Sequence, residues 1–139
     1  MNQLIRTVDV NWENEDDYSE TPLLIGCREG CTEIVEILLG HQQLNVNKKD
    51  TLGSTPLFES CRENHIDIVQ ILVKDARVAI EETNEDGWSP YMRACFEGNA
   101  DIIKVLLSCG REIGINRKST EKVFSSQSRF NWIGHSEAI

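Results

Sequence analysis

The stretch DTLGSTPLFESCRENHIDIVQILV, from Asp50 to Val73, contains the signals of two short helices separated by a turn. Thr55 and Pro56 indicate a helix start, because a threonine hydroxyl caps unpaired amide groups and proline needs no amide donor at the first helical position. Asn64 tolerates a left-handed backbone, so the first helix is expected to end there. In the aliphatic run after His65, polar residues recur at intervals of three and four, which is typical of a helix with one exposed face.

The same unit occurs three times in the chain. Steps of 34 residues lead from Thr21 to Thr55 and then to Ser89, and each of these residues is followed by proline. The same step aligns a cysteine, a glutamate and the start of an aliphatic run in every copy: Cys27, Cys61 and Cys95; Glu29, Glu63 and Glu97; Ile34, Ile68 and Ile102. One helix pair cannot bury its aliphatic face alone, so the copies are expected to stack around a continuous core.

These motifs resemble the ankyrin repeat. The resemblance lies in the G-x-T-P-L opening at Gly53, the histidine at the inter-helix turn and the Ile-Val pair of the second helix, and it covers about residues 8–118. It implies an all-α solenoid of stacked helix–turn–helix units joined by β-hairpin-like loops. We expect first helices at Pro22–Arg28, Pro56–Arg62 and Pro90–Phe96.

The resemblance also predicts how the chain is organised. We expect an ankyrin repeat domain at 1–119, with a partial unit at 1–15 and repeats at about 16–49, 50–83 and 84–117. Residues 120–139 do not continue the repeat and are expected to form a C-terminal capping segment or a flexible tail.

Two departures from the family pattern affect the surface of the repeats. The family usually has histidine after T-P-L, and this chain has Leu24, Phe58 and Met92 instead, so the hydrogen bond from that histidine to the threonine is missing. The first hairpin, residues 12–20, is two residues longer than its equivalents and has Ser19 where glycine is expected. We therefore expect an irregular tip in that hairpin.

The cysteines first suggest a metal or redox site, because Cys27 and Cys31 are four residues apart and would share a helix face. The repeat favours packing instead. Cys27 recurs as Cys61 and Cys95 beside a small residue, whereas the position of Cys31 is not conserved as cysteine in the other copies. Equivalent thiols in stacked units lie ~10 Å apart, which is too far for several of them to bind one zinc ion. We expect no metal and no cofactor, and partly exposed thiols at Cys31 and Cys109.

Composition excludes several classes of function. A net charge of −9 argues against nucleic acid as a partner, because phosphate binding needs a basic face. No apolar run suits a secretory signal or a membrane helix, so no membrane partner is expected. Five cysteines, an odd number, do not match a disulfide framework, so we expect reduced thiols and a cytoplasmic or nuclear location. No phosphate-binding loop, H-E-x-x-H motif or nucleophile elbow is present, so we do not expect an enzyme.

The resemblance implies a protein–protein interaction module whose partner binds the hairpin tips and the concave face formed by the first helices. Mapped onto this sequence, the expected partner-binding residues are Tyr18, Arg28, Glu29, Leu52, Arg62, Glu63, Asp86, Trp88, Phe96 and Glu97. The three glutamates form an acidic ladder, which favours a partner protein of basic or mixed charge unless the neighbouring arginines pair with them. We expect a monomer that acts as an adaptor, scaffold or inhibitor. A structural spacer within a longer ankyrin array stays open as the alternative.

Two aromatic residues of the third unit suggest an anchor for the partner. Trp88 occupies the position that Glu20 and Ser54 hold in the other units, and Phe96 occupies a position that arginine holds twice. Because polar residues fill these positions elsewhere, we expect both aromatic side chains to be exposed. Aromatic residues are enriched at binding hot spots. The alternative is that Trp88 packs on its own hairpin and Phe96 on the C-terminal tail.

Overall fold

A computed structural model describes residues 9–111 of the chain, and this part contains six helices. In chain order they are α1 (Pro22–Glu29), α2 (Thr32–Leu39), α3 (Pro56–Arg62), α4 (Ile66–Val73), α5 (Pro90–Glu97) and α6 (Ala100–Ser108). Within residues 9–111 there is no strand, apart from one isolated antiparallel bridge between Asn14 and Glu20. The prediction of an all-α architecture is confirmed. The predicted partial unit at 1–15 begins before the described residues, and the predicted capping segment at 120–139 lies outside them.

The first helix of each unit begins where the sequence predicts. Thr21, Thr55 and Ser89 have extended backbones, and each side-chain oxygen accepts a hydrogen bond from the amide three residues later, at 3.1–3.2 Å. This contact satisfies one of the amides that a helix start leaves unpaired. The helices end before residues with left-handed backbones, Gly30 (φ 79°) and Gly98 (φ 74°). As a result α1 and α5 are each one residue longer than predicted.

The helices form two layers. The first helices pack side by side, with α3 between α1 and α5, and the second helices do the same, with α4 between α2 and α6. One aliphatic core runs between the layers through all three units. The polar positions of the second helices face solvent as predicted; they are Glu33, Glu36, Gly40, Asp67, Gln70, Lys74, Asp101, Lys104 and Ser108.

The second helices expose some aliphatic side chains at the two ends of the stack. Ile34 and Ile37 of α2 are 49% and 70% exposed, and Leu107 of α6 is 61% exposed. Within residues 9–111, α2 has a neighbouring second helix on one side only, and so has α6. The exposed faces are therefore the two faces that a further unit would cover. Among the helices of this part of the chain, none is long and apolar enough to cross a membrane.

An asparagine in each of the first two linkers bonds to the next linker along the stack. The Asn47 carboxamide donates to the Arg77 carbonyl oxygen at 2.9 Å, and its oxygen accepts from the Ala79 amide at 2.8 Å. Asn11 makes the equivalent pair of bonds one unit earlier, at 2.9 and 2.7 Å. The next position in the series is Glu81, and a carboxylate cannot donate a hydrogen bond. The first two linkers are therefore each held by a hydrogen bond from an asparagine carboxamide to a backbone carbonyl oxygen, and Glu81 in the third linker cannot donate such a bond.

Replacing Asn47 with alanine is expected to lower the free energy of unfolding by about 1–3 kcal/mol, because the partly buried Ala79 amide loses its acceptor. Urea denaturation followed by circular dichroism measures the change. Gln42, which is exposed on the same linker, provides the control, and Gln42→Ala is expected to change stability by less than about 0.5 kcal/mol. Equal unfolding midpoints for the two variants would contradict a role for Asn47 in joining the units.

Candidate functional site

Three hairpins connect the units, and each is closed by the same backbone contact. The amide of the first residue donates to the carbonyl oxygen of the last: Asn14 to Glu20 at 2.8 Å, Asp50 to Ser54 at 3.1 Å, and Asn84 to Trp88 at 2.9 Å. Gly53 has a left-handed backbone (φ 83°), and a Cβ there would lie 2.7 Å from the Glu85 amide nitrogen, so the second hairpin needs glycine. The first hairpin instead places Tyr18 (φ 59°) and Ser19 (φ 57°) in the left-handed region, which confirms the predicted irregular tip.

The hairpin tips pack edge to edge. The Thr51 amide donates to the Tyr18 carbonyl oxygen at 2.9 Å, and the Glu85 amide donates to the Leu52 carbonyl oxygen at 3.2 Å. Tyr18, Leu52 and Asp86, which are 34 residues apart in turn, therefore occupy equivalent positions, and we call these three residues the tip row. The side chains of Tyr18 and Leu52 are 59% and 50% exposed, and Asp86 is also exposed. The tip row is a continuous, solvent-facing edge of the stack.

The position that precedes each Thr/Ser-Pro is buried in all three units. Glu20, Ser54 and Trp88 are 4%, 2% and 5% exposed. The expectation that Trp88 is exposed is therefore wrong. The polar residues at this position in the other units suggested exposure, but they are buried as well. At this position the chain turns from the hairpin into the first helix. The side chain therefore packs against the first helices rather than extending into solvent.

Trp88 belongs to an aromatic cluster, which we define as Phe58, Trp88, Met92 and Phe96. The rings of Trp88 and Phe96 meet edge to face, with centroids 5.0 Å apart and planes at 86°. Phe58 is 3% exposed, whereas Phe96 is partly buried. The Arg93 guanidinium lies 5.3 Å from the Trp88 ring centroid and 5.2 Å from that of Phe96, within range of cation–π attraction. The cluster gives the partly exposed Phe96 a rigid support.

Each glutamate of the acidic ladder pairs with an arginine of its own unit. The pairs are Arg28–Glu29 at 3.1 Å, Arg62–Glu63 at 3.1 Å and Arg93–Glu97 at 2.6 Å. Such solvent-exposed pairs contribute only about 0–1 kcal/mol to stability. They do balance the charge of the ladder locally, which is the alternative in which arginines pair with the glutamates. The first helices thus present alternating charges rather than an acidic strip.

Two of these arginines also bind a buried carboxylate. Arg28 pairs with Glu20, and Arg62 lies 2.6 Å from Glu59, which is 3% exposed. Burial raises the pKa of the Glu59 carboxyl, and the positive charge of Arg62 offsets part of that rise. Ion pairs with buried carboxylates therefore occur in units one and two, whereas the aromatic cluster joins Phe58 of unit two to three residues of unit three.

The repeated cysteines are packing residues. Cys27 and Cys61 have no exposed surface, and burial raises the pKa of both thiols. Cys95 is partly buried, and burial also raises its pKa. Cys31 and Cys109 are partly exposed, as expected. Among the described residues, no group of three or more His, Cys, Asp or Glu side chains is placed to hold a metal ion.

The position that Cys31 holds in unit one is occupied in the later units by His65 and Asn99, whose side chains contact backbone carbonyl oxygens. His65 lies with its Nε2 2.9 Å from the Arg28 carbonyl oxygen, and Asn99 donates through Nδ2 to the Cys61 carbonyl oxygen at 2.8 Å. Both side chains reach back to the first helix of the preceding unit. His65 therefore has a structural role, because it links its own unit to the preceding one.

Stacked helix–turn–helix units, with hairpins that line up along one edge, define a helical-repeat solenoid. The family model for ankyrin repeats, which describes three copies, matches residues 1–82 and 42–118. The chain belongs to the ankyrin repeat family, and the resemblance found in the sequence is confirmed. No curated protein matches the chain. Ankyrin repeats generally bind other proteins, and the family is typically non-catalytic.

Nine of the ten predicted partner-binding residues have side chains at least partly exposed on the hairpins and first helices, and Trp88 is the exception. Their role in binding stays a prediction. Arg93 and the cluster members Phe58 and Met92 were not among the residues predicted from the sequence. A signal for the latter two was present, because both occupy the position where the family usually has histidine.

Truncating Trp88 to alanine is expected to lower the free energy of unfolding by about 3–5 kcal/mol, because a buried indole is removed from a packed cluster. Leu52→Ala, at a half-exposed tip, is the matched control and is expected to change stability by less than about 1 kcal/mol. Both are measured by urea denaturation. A Trp88→Ala variant as stable as Leu52→Ala would contradict the packing role.

In the native protein, iodoacetamide is expected to modify Cys31 and Cys109 well before Cys27 and Cys61. Burial blocks the reagent and keeps the inner thiols protonated, and the thiolate is the reactive form. Peptide mass spectrometry of a reaction time course reports each site separately. In denaturant all sites should react at similar rates, and early native modification of Cys61 would contradict the packed core.

Proposed function

We propose that this chain is a non-catalytic module that binds a partner protein across its hairpin tips and first helices, as an adaptor, scaffold or inhibitor. The observation that carries the proposal is the continuity of this surface. Backbone hydrogen bonds from Thr51 to Tyr18 and from Glu85 to Leu52 join the tips of the three units. Such an edge extends across the whole stack and suits a macromolecular partner rather than a small ligand.

Contacts between each hairpin and its helix extend the surface from the tips to the first helices. In unit one the last hairpin residue, Glu20, pairs with Arg28 of α1. In unit three Trp88 contacts Phe96 of α5. These contacts hold the end of the hairpin against the first helix of its own unit, which supports one surface made of the tip row and the exposed side of the first helices.

The chemistry of this surface supports a partner of mixed charge. Arg28 and Arg62 are partly exposed beside their glutamate partners, and Phe96 is partly exposed on the aromatic cluster. Arginine and aromatic residues are enriched at interface hot spots, particularly where the surrounding structure holds them rigidly. We propose that the module acts as a monomer. We also propose that it is located in the cytoplasm or the nucleus, since the odd number of cysteines supports a reducing compartment.

A second candidate function is a spacer within a longer ankyrin array. The exposed aliphatic side chains at the two ends of the stack favour it: Ile34 and Ile37 on α2, and Leu107 on α6, are 49%, 70% and 61% exposed. Large exposed apolar side chains of this kind are what a further unit would bury.

A crosslinking pull-down from cell extract distinguishes the two candidates. The Arg62→Ala/Phe96→Ala variant removes one basic and one aromatic side chain from the proposed surface. The matched control, Lys104→Ala/Ile37→Ala, removes one basic and one apolar side chain from the exposed face of the second helices. Circular dichroism first shows that both variants are folded.

We expect a partner that wild type and the control retain and that the first-helix variant loses, with affinity reduced at least about tenfold, since truncating a hot-spot side chain costs about 2 kcal/mol or more. Equal retention by both variants would contradict the proposed surface. Loss by the control alone would place the partner on the second helices. Retention of no protein by wild type would favour the spacer.

A further inference from the structure

We propose that the first two positions of the tip row dock an extended segment of a partner protein that carries apolar side chains between two groups of lysine or arginine. The inference rests on the proposed function and specifies the chemistry of the partner at one part of that surface.

The centre of the site is apolar. Tyr18 and Leu52 are 59% and 50% exposed, and the hydrogen bond from the Thr51 amide to the Tyr18 carbonyl oxygen, 2.9 Å long, holds their hairpins together. The fold does not require apolar residues here, because the equivalent residue in unit three is Asp86. Neighbouring exposed apolar side chains with a polar rim are characteristic of interaction sites.

Acidic side chains flank this apolar centre on both sides. Glu15, Asp16 and Asp17 precede Tyr18 in the first hairpin, and Glu85 and Asp86 lie at the third tip, beyond Leu52; all five are exposed. Within residues 9–111, no ion pair includes any of these five carboxylates. Among the described residues, the surface around the apolar centre therefore carries negative charge that no ion pair balances.

The basic residues nearest in sequence do not neutralise the tips. Lys48 pairs with Glu13 at 2.7 Å, and Lys49 pairs with Glu82 at 2.9 Å and donates to the Thr83 carbonyl oxygen at 3.0 Å. The acidic ladder on the first helices differs in this respect, because each of its glutamates has an arginine partner. Charge complementarity thus predicts positive charge in a partner segment at the tips.

The spacing of the tips limits the length of the segment. Adjacent units are ~10 Å apart, so the three tips span ~20 Å. An extended chain rises ~3.3 Å per residue, so about six or seven residues cross the row. The expected pattern is two central apolar residues, two positions apart so that both side chains face the tips, with basic residues one or two positions farther out on each side.

A synthetic peptide of sequence GRKLSLRKG, labelled with fluorescein, is the probe. Fluorescence anisotropy with the full chain measures its affinity at low ionic strength. Two control peptides separate the contributions: GRKSSSRKG lacks the apolar centre, and GEELSLEEG reverses the flanking charges. We expect both controls to bind at least about tenfold more weakly than the probe.

Matched protein variants locate the site. Glu15→Gln/Asp16→Asn/Asp17→Asn removes three charges at the first tip, and Glu33→Gln/Glu36→Gln/Asp67→Asn removes three charges from the exposed face of the second helices. Leu52→Ser removes an exposed apolar side chain at the tip row, and Ile37→Ser removes one on α2. Only the tip variants are expected to weaken binding of the probe, by about tenfold.

Equal binding of the probe and GRKSSSRKG would overturn the proposal in favour of attraction by net charge alone. Equal weakening by the two triple variants would overturn it as well. No binding of the probe at all would also overturn it, yet the proposed function would still stand if the pull-down partner were lost with Arg62→Ala/Phe96→Ala. The two proposals can therefore fail separately.

Discussion

Burial of aliphatic side chains between adjacent units is the interaction on which the rest of this structure depends. Ile34 and Ile68 occupy the same position in successive units, yet Ile34 is 49% exposed and Ile68 is fully buried. The difference arises because α4 packs against α2 on one side and α6 on the other, whereas α2 has one such neighbour in residues 9–111. Each junction removes apolar surface from water, which stabilises the folded state by about 25 cal/mol per Å². Because a single unit lacks these junctions, no unit is expected to be stable alone.

Polar contacts then fix how the units lie against one another. Asn47 binds the backbone of the following unit, and His65 binds the backbone of the preceding one. These bonds are directional, which aliphatic packing is not, so they define one alignment of the stack. Because the units are aligned, the Thr51 amide meets the Tyr18 carbonyl oxygen at the hairpin tips. The surface proposed to bind a partner is thus a consequence of the junctions beneath it.

The sequence was sufficient to predict the helices and the stack, because the Thr/Ser-Pro caps and the aliphatic periodicity act locally and recur every 34 residues. It was not sufficient for Trp88. Glu20 and Ser54, which hold the equivalent position, are polar and yet buried, so the residue type at this position did not indicate its exposure. Phe58 and Met92 supply the apolar neighbours that let an indole fill the same buried position. The side-chain pairing of the ladder was also open, since an adjacent arginine can pair with its neighbour or extend into solvent. A repeat therefore predicts the backbone of each position well, whereas the contacts of a substituted side chain depend on its neighbours.

The proposed binding surface divides into two parts with different physical properties. The tip row lies among carboxylates that have no ion-pair partner in residues 9–111, so its field extends into solvent, with a Debye length of about 8 Å at physiological ionic strength. On the first helices the charges are balanced by Arg28 and Arg62, and the exposed part of Phe96 rests on a packed cluster. Unbalanced exposed charge mainly accelerates association, whereas rigid aromatic and arginine side chains mainly slow dissociation. A partner that uses both parts would be captured at the tips and retained on the first helices, so salt would reduce its association rate far more than it would increase its dissociation rate.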